Sequence, residues 1–194
     1  MAKNDILEAA KAVLEKEGLD GLTIRKVAMQ SGVSPMAIYR HFADKDALIN
    51  ALTGAGLEAW EARVRVIAVD DPVGWLEALT EAFLAFSLEE PNLFDAAFFL
   101  PASQARRYPD DFVAGRSPVI AMAMVRIDQG RLDGRLDHTS AFDIVLSLSA
   151  LAQGMVSMQR ARRFTSDEQF KTLFRTAIRH CLQSYSQRPV GKTA

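Results

Sequence analysis

The chain has 194 residues, 49% hydrophobic and 24% charged, with Lys+Arg 23 against Asp+Glu 24 for a net charge of −1. That size and balance describe an ordinary globular protein, with room for one sizeable core or for a small domain joined to a larger one. They exclude a disordered chain and a uniformly basic coat for nucleic acid or membrane. A single cysteine, Cys181, and the scattered His41, His138 and His180 exclude an internal disulfide framework and offer no metal-ligand set, so neither a metal nor a cofactor is expected.

Apolar residues recur at spacings of three and four along the whole chain, and no segment shows strand alternation. An all-α fold of about nine helices is expected. Ile6, Leu7, Ala10, Val13 and Leu14 mark a first helix that stops at Gly18. Ile24, Val27 and Ala28 mark a second after Thr23, and Ser34-Pro35 opens a third that carries Ile38 and Phe42. A long fourth helix starts near Asp44 and runs through Leu48, Leu52, Leu57, Trp60 and Val64; Gly54 and Gly56 within it are candidate points of bending. Asp70-Asp71 before Pro72 suits a helix start, because a carboxylate can cap and proline's missing N–H is not needed there. That fifth helix stops before Pro91, and a short sixth carries Leu93, Phe94, Ala97 and Phe98. Residues 103–115 read as an irregular connection. Ser117-Pro118 opens a seventh helix, and two long helices close the chain at about 138–163 and 166–187, with Thr165 and Glu168 at capping-box spacing.

The longest uncharged stretch, between Asp143 and Arg160, includes Ser147, Ser149, Gln153, Gly154, Ser157 and Gln159. It reads as a buried helix, since a membrane span needs roughly 18 or more mostly apolar residues. The charged beginning of the chain has no signal-peptide pattern. No membrane partner and a cytoplasmic location are expected.

The most informative stretch is Leu22 to Leu48, LTIRKVAMQSGVSPMAIYRHFADKDAL. Two short helices are joined by Ser31-Gly32-Val33, where glycine can take the left-handed conformation that turns the chain sharply. Ser34 can cap the next helix, Pro35 fits its first position, and Val33 and Ile38 occupy the two positions of a hydrophobic staple. This is the pattern of a helix-turn-helix, about residues 23–42, whose second helix can enter a DNA major groove. Between Thr23 and Lys45 the cations Arg25, Lys26, Arg40 and Lys45 face the lone acid Asp44. Tyr39, Arg40 and His41 bring hydroxyl, guanidinium and imidazole donors together, and Met36 and Ala37 offer apolar atoms suited to a thymine methyl.

These residues resemble the DNA-binding domain of TetR-type transcriptional repressors. The resemblance covers roughly the first 60 residues and rests on Ala9-Ala10, Leu22-Thr23, Val27-Ala28, Gly32-Val33-Ser34, Ile38-Tyr39, His41-Phe42, Lys45 and Leu48 in register. It implies that Met36, Ala37 and Arg40 face base edges, that Thr23, Ser34, Tyr39, His41 and Lys45 face the DNA backbone, and that Arg25 does either. It implies a helix-turn-helix domain over 1–48, a helical ligand-binding and dimerisation domain over 49–188 and a tail over 189–194. The implied partners are a quasi-palindromic double-stranded operator, a second copy of the chain and a small-molecule effector.

The later helices are read from pattern. Ile144, Leu148, Leu151, Met155 and Met158 form one stripe, beside a stripe of small residues at Ser147, Ala150, Gly154, Ser157 and Ala161. Phe170, Phe174, Ala177, Cys181 and Tyr185 form another seam. These faces pack either within the monomer or, as the resemblance implies, in an intersubunit four-helix bundle using Ser147, Ala150, Gly154, Ser157, Phe170, Phe174 and Cys181. Trp75, Phe83, Phe86, Phe98, Phe99, Phe112, Met122 and Met155 are either ordinary core or the lining of an apolar effector pocket, the reading that the resemblance favours. Among the charges near the irregular connection, Arg106, Arg107, Asp110 and Asp111 either gate a ligand or are solvated.

Catalytic patterns fail. Gly191-Lys192-Thr193 has Ser186 where a phosphate loop needs its earlier glycine, Cys181 sits on an apolar face, and no Ser-His-Asp order stands out. The chain is expected to be a ligand-responsive transcriptional regulator and not an enzyme. The alternative is a helical ligand-binding protein or enzyme that keeps a vestigial DNA-binding module.

Overall fold

The computed structural model describes residues 2–100 and 102–186. Among them are ten helices: α1 (Lys3–Gly21), α2 (Ile24–Gln30), α3 (Pro35–Tyr39), α4 (Lys45–Arg65), α5 (Pro72–Glu89), α6 (Pro91–Phe98), α7 (Asp110–Val113), α8 (Pro118–Leu132), α9 (Ala141–Arg160) and α10 (Asp167–Ser184). The expected tail at 189–194 and the Gly191-Lys192-Thr193 run lie outside the described residues.

The helix starts follow the capping chemistry of the sequence. Asp44 Oδ1 accepts the Ala47 N–H at 2.7 Å, Asp71 Oδ2 accepts the Gly74 N–H at 2.7 Å, and Ser117 Oγ accepts the Ile120 N–H at 3.5 Å. One cap differs from expectation. Ser166, not Thr165, caps α10 by accepting the Gln169 N–H at 3.1 Å. The Gln169 side chain turns back and accepts from the Thr165 N–H at 3.0 Å and its hydroxyl at 2.7 Å. The expected box between Thr165 and Glu168 therefore does not form: Ser166 caps the helix and Gln169, three residues on, reaches past it to Thr165.

The extra helix, α7, is a single turn inside the connection read as irregular. Asp111 accounts for it: its carboxylate accepts the Arg107 N–H at 2.7 Å and pairs with Arg116 Nη1 at 2.8 Å, closing the segment on itself.

The chain divides into two compact units. The first is Met1–Ala62 with Phe86–Ala105; the second is Arg63–Ala85 with Arg106–Ala194. In the first unit, Ile6, Ala10, Leu14, Leu22, Val27, Ile38, Phe42, Leu48 and Leu52 form a buried core that also takes in Ala96 from α6. Asn92 Nδ2 donates to the Glu15 carbonyl at 2.9 Å, and Thr53 Oγ1 donates to the Ala96 carbonyl at 3.0 Å. A Cβ on Gly56 would lie 2.8 Å from the Leu93 carbonyl oxygen and 2.9 Å from Ala97 Cβ. Gly56 is thus a packing glycine that lets α4 and α6 approach. The segment expected to end at residue 48 lies inside this larger unit. Beside it, Trp60 stacks on Phe86 with ring centroids 6.4 Å apart, and Phe94 meets Phe86 edge-on at 5.5 Å.

The second unit is built on α8, α9 and α10. Ile144, Val145, Leu148, Ala152 and Val156 of α9 are buried, as are Phe170, Phe174, Ile178 and Leu182 of α10. The Tyr185 hydroxyl bonds Ser147 Oγ at 3.0 Å, and the Asp137 N–H donates to the Tyr185 carbonyl at 2.8 Å. Glu81 and Arg175 form a two-point ion pair at 2.7 and 2.9 Å. Among the described residues, α9 alone is long and apolar enough to cross a membrane by length and composition. Its buried residues are Ala141, Ile144, Val145, Leu148, Ala152 and Val156, and it packs against α8 and α10.

Candidate nucleic-acid interface

The turn between α2 and α3 forms because Gly32 takes φ +67°, a conformation that other residues rarely adopt. The Val33 N–H then reaches the Ala28 carbonyl at 2.9 Å, ending α2. Thr23 Oγ1 accepts the Lys26 N–H at 3.2 Å and Ser34 Oγ accepts the Ala37 N–H at 3.3 Å, so each short helix has a side-chain cap. Both caps use only an oxygen lone pair. Each hydroxyl hydrogen remains free to donate outward.

Ile38 is fully buried and pins α3 from beneath, as the staple position requires. The helix ends at Tyr39, shorter than expected. Phe42 still buries itself because its N–H bonds the Ile38 carbonyl at 3.0 Å and carries the chain one more turn. The opposite face is open: Met36 is 68% and Tyr39 48% exposed. Arg40, His41, Lys45, Thr23, Arg25 and Ser34 are exposed as well, and Ala37 is half-buried.

Among the described residues, Arg25, Arg40 and Lys45 make no ion pair, whereas Lys26 pairs with Glu17. The three free cations sit on the exposed side of α2, just after α3 and at the start of α4. That arrangement can meet phosphates on either flank and a base edge between them. Lys3 belongs to the same unit, with its ammonium 5.3 Å from the centre of the Phe42 ring. Sequence reasoning passed over Met29, which is 76% exposed. Its spacing of four from Arg25 places both on one face of α2, and that was the available signal.

The other expected site residues fall as follows. Phe86 is fully buried and Phe98 half-buried in the first unit, where Phe99 is 37% exposed. Trp75 and Phe83 are buried in the second unit, and Phe112, Met122 and Met155 are half-buried there. Tyr108 stacks on Phe112 with ring centroids 3.8 Å apart. Of the expected dimer residues, Ala150, Gly154 and Ser157 lie on the exposed face of α9, and Ser147 and Cys181 are half-buried. Phe170 and Phe174 are fully buried inside their own unit, where they hold α10 down and leave no surface for a second copy. The exposed side of α10 carries Leu173 and His180 instead.

Residues 6–52 match the family model described as bacterial regulatory proteins, tetR family, and residues 76–181 match that of a tetracyclin repressor-like C-terminal domain. The chain belongs to the TetR family. It is 46% identical over 54 residues to the tetracycline repressor protein class A from transposon 1721 of Escherichia coli, covering 28% of this chain and 25% of that protein. It is 34% identical over 83 residues to the HTH-type transcriptional repressor KstR2 of Mycobacterium tuberculosis, covering 43% of this chain and 41% of that one. The match thus spans less than half of each of these relatives. The crystal structure of a TetR from Acinetobacter baumannii AYE in complex with minocycline superposes with a TM-score of 0.71 at 21% identity, covering 95% of this chain and 96% of that one. At that identity the likeness is one of fold. The TetR-family match over residues 6–52 contains α2, the turn at Gly32 and α3 with its exposed face.

Proposed function

We propose that this TetR-family chain is a homodimeric, sequence-specific transcriptional regulator that acts in the cytoplasm, a repressor released from a quasi-palindromic operator by an apolar or amphipathic small molecule. The observation that carries the reading is the short α3, fixed from below by buried Ile38 and presenting Met36, Tyr39 and Arg40 outward. Two copies of such a helix read successive major grooves, roughly 34–36 Å apart. Arg40 is the base-reading residue: a guanidinium bidentate to guanine contributes about 1–3 kcal/mol of discrimination. Met36 and Ala37 suit thymine methyls. Lys45, His41, Tyr39 and the capping hydroxyls of Thr23 and Ser34 suit phosphates, and Arg25 suits either.

The second copy docks on α9 and α10. Ala150, Gly154 and Ser157 give a face low enough for close helix approach, bordered by Leu146 and Met158, 36% and 47% exposed, and on α10 by Leu173, 44% exposed. Ser147 and Cys181 lie at its edge. The effector class follows from the rings and thioethers at Trp75, Phe83, Phe112, Met122 and Met155 in one unit and at Phe86, Phe98 and Phe99 in the other. An effector releases DNA only through a preference for one conformation, typically worth about 1–3 kcal/mol.

Footprinting on the intergenic DNA beside its own gene, with sedimentation of the protein at the same concentration, tests the reading. A protected inverted repeat and a dimer are expected. Binding to no duplex, or a monomer throughout, overturns it.

A further inference from the structure

We propose that Met36 is an oxidation site through which two-electron oxidants of the peroxide class weaken operator binding; the inference rests on the reading of α3 as the recognition helix. Among the described residues the two most exposed methionines, Met29 at 76% and Met36 at 68%, both lie on the helix-turn-helix, whereas Met122, Met124 and Met155 are half-buried in the other unit. Oxidation of a thioether needs access and no ionisation, so exposure favours these two over Met158 of α9, which is 47% exposed.

Met36 is the one placed to matter. It is the second residue of α3, after Ser34 as cap and Pro35 at the first position, and it lies one turn before Arg40 on the same exposed face. An apolar side chain so bare in the free protein is covered only when a groove closes over it, and a flexible thioether adapts to base edges and thymine methyls. In the reaction, the Met36 sulfur attacks one oxygen of hydrogen peroxide. A sulfur–oxygen bond forms, the oxygen–oxygen bond breaks and water leaves. The sulfur is oxidised to a sulfoxide and the peroxide is reduced. The product is polar and bulkier, so it loses the apolar contact and holds water at the base edges. Methionine sulfoxide reductases reverse the change.

The test uses the full-length chain in a Cys181→Ser background, which removes thiol oxidation. Protein is treated with hydrogen peroxide, sulfoxide at each methionine is quantified by mass spectrometry, and affinity for the footprinted operator is measured. Conversion of Met36 is expected to weaken binding about tenfold, the scale of one lost base contact. Sulfoxide reductase should restore it. Met36→Leu, inert to peroxide, should hold after treatment whatever affinity it shows before it, whereas Met29→Leu should lose affinity on treatment by the same factor as the parent. Full Met36 sulfoxide with unchanged affinity overturns the proposal, as does a Met36→Leu protein that still loses affinity on treatment. Failure of the untreated protein to bind any duplex overturns the recognition-helix reading itself, and is distinguishable because it needs no oxidant.

Discussion

The carbonyl oxygen of Leu93 stands 2.8 Å from the point where a side chain on Gly56 would begin. Glycine at this place in α4 allows α6 to lie against it, and Gly54, two residues earlier, has open space around it. Gly56→Ala is expected to destabilise the protein by about 1–3 kcal/mol through overpacking against backbone. Gly54→Ala is expected to stabilise it by about 0.5–1 kcal/mol, because alanine loses less freedom in a helix. Urea unfolding midpoints of the two variants, moving in opposite directions, check the pair.

The free and paired cations predict different responses on DNA. Lys45 makes no ion pair among the described residues and Lys26 is engaged by Glu17. Lys45→Ala should weaken binding to every duplex alike and lower the slope of log affinity against log salt by about 1 per subunit. Lys26→Ala should change the slope less. Arg40→Ala should relax base preference while dimerisation persists. Titrations at several salt concentrations separate these outcomes.

The proposed dimer face separates surface from support. Ala150 is exposed on α9, so Ala150→Arg should leave the helical content intact and yield a monomer by sedimentation. Phe174 is fully buried, so Phe174→Ala should cost about 3–5 kcal/mol of stability in the second unit. Its dimer loss, if seen, should follow unfolding and not precede it.

Asp137 carries a pH dependence of stability. Its carboxylate accepts the Thr139 hydroxyl and the Thr139 N–H, the latter at 2.8 Å, and these bonds hold its pKa below the usual 3.8. A carboxyl acidified by folding stabilises the native state above its unfolded pKa, and the benefit disappears as pH falls through the folded pKa. Asp137→Asn should therefore lower the melting temperature at neutral pH, with the difference from the parent closing below about pH 4. A constant difference down to acid pH would contradict this account.

Local chemistry was legible in the sequence, and partnership over distance was not. Ser34, Ser117 and Asp71 could be read as caps because a capping bond spans only three residues. Ile38 could be read as buried from the staple spacing. Gly56 could not be interpreted, because the atoms that need its bare backbone belong to Leu93 and Ala97. The same limit applied to Phe170 and Phe174: periodicity marked them as apolar, but only packing tells whether such a face meets its own unit or another copy. The turn at Asp110–Val113 escaped because Asp111 stabilises it through bonds to Arg107 and Arg116, which no hydrophobic period records. Met29 escaped for a different reason, since an apolar residue beside a helix end is assigned to the core by default.

The first unit is not contiguous in the chain, because α6 anchors α1 through Asn92 and Glu15. During translation that core gains its one buried member from the later segment, Ala96, only after α6 has been made. A chimera that grafts only the opening 48 residues onto another effector domain will lack this buttress. One that carries the later segment along with them brings the whole first unit.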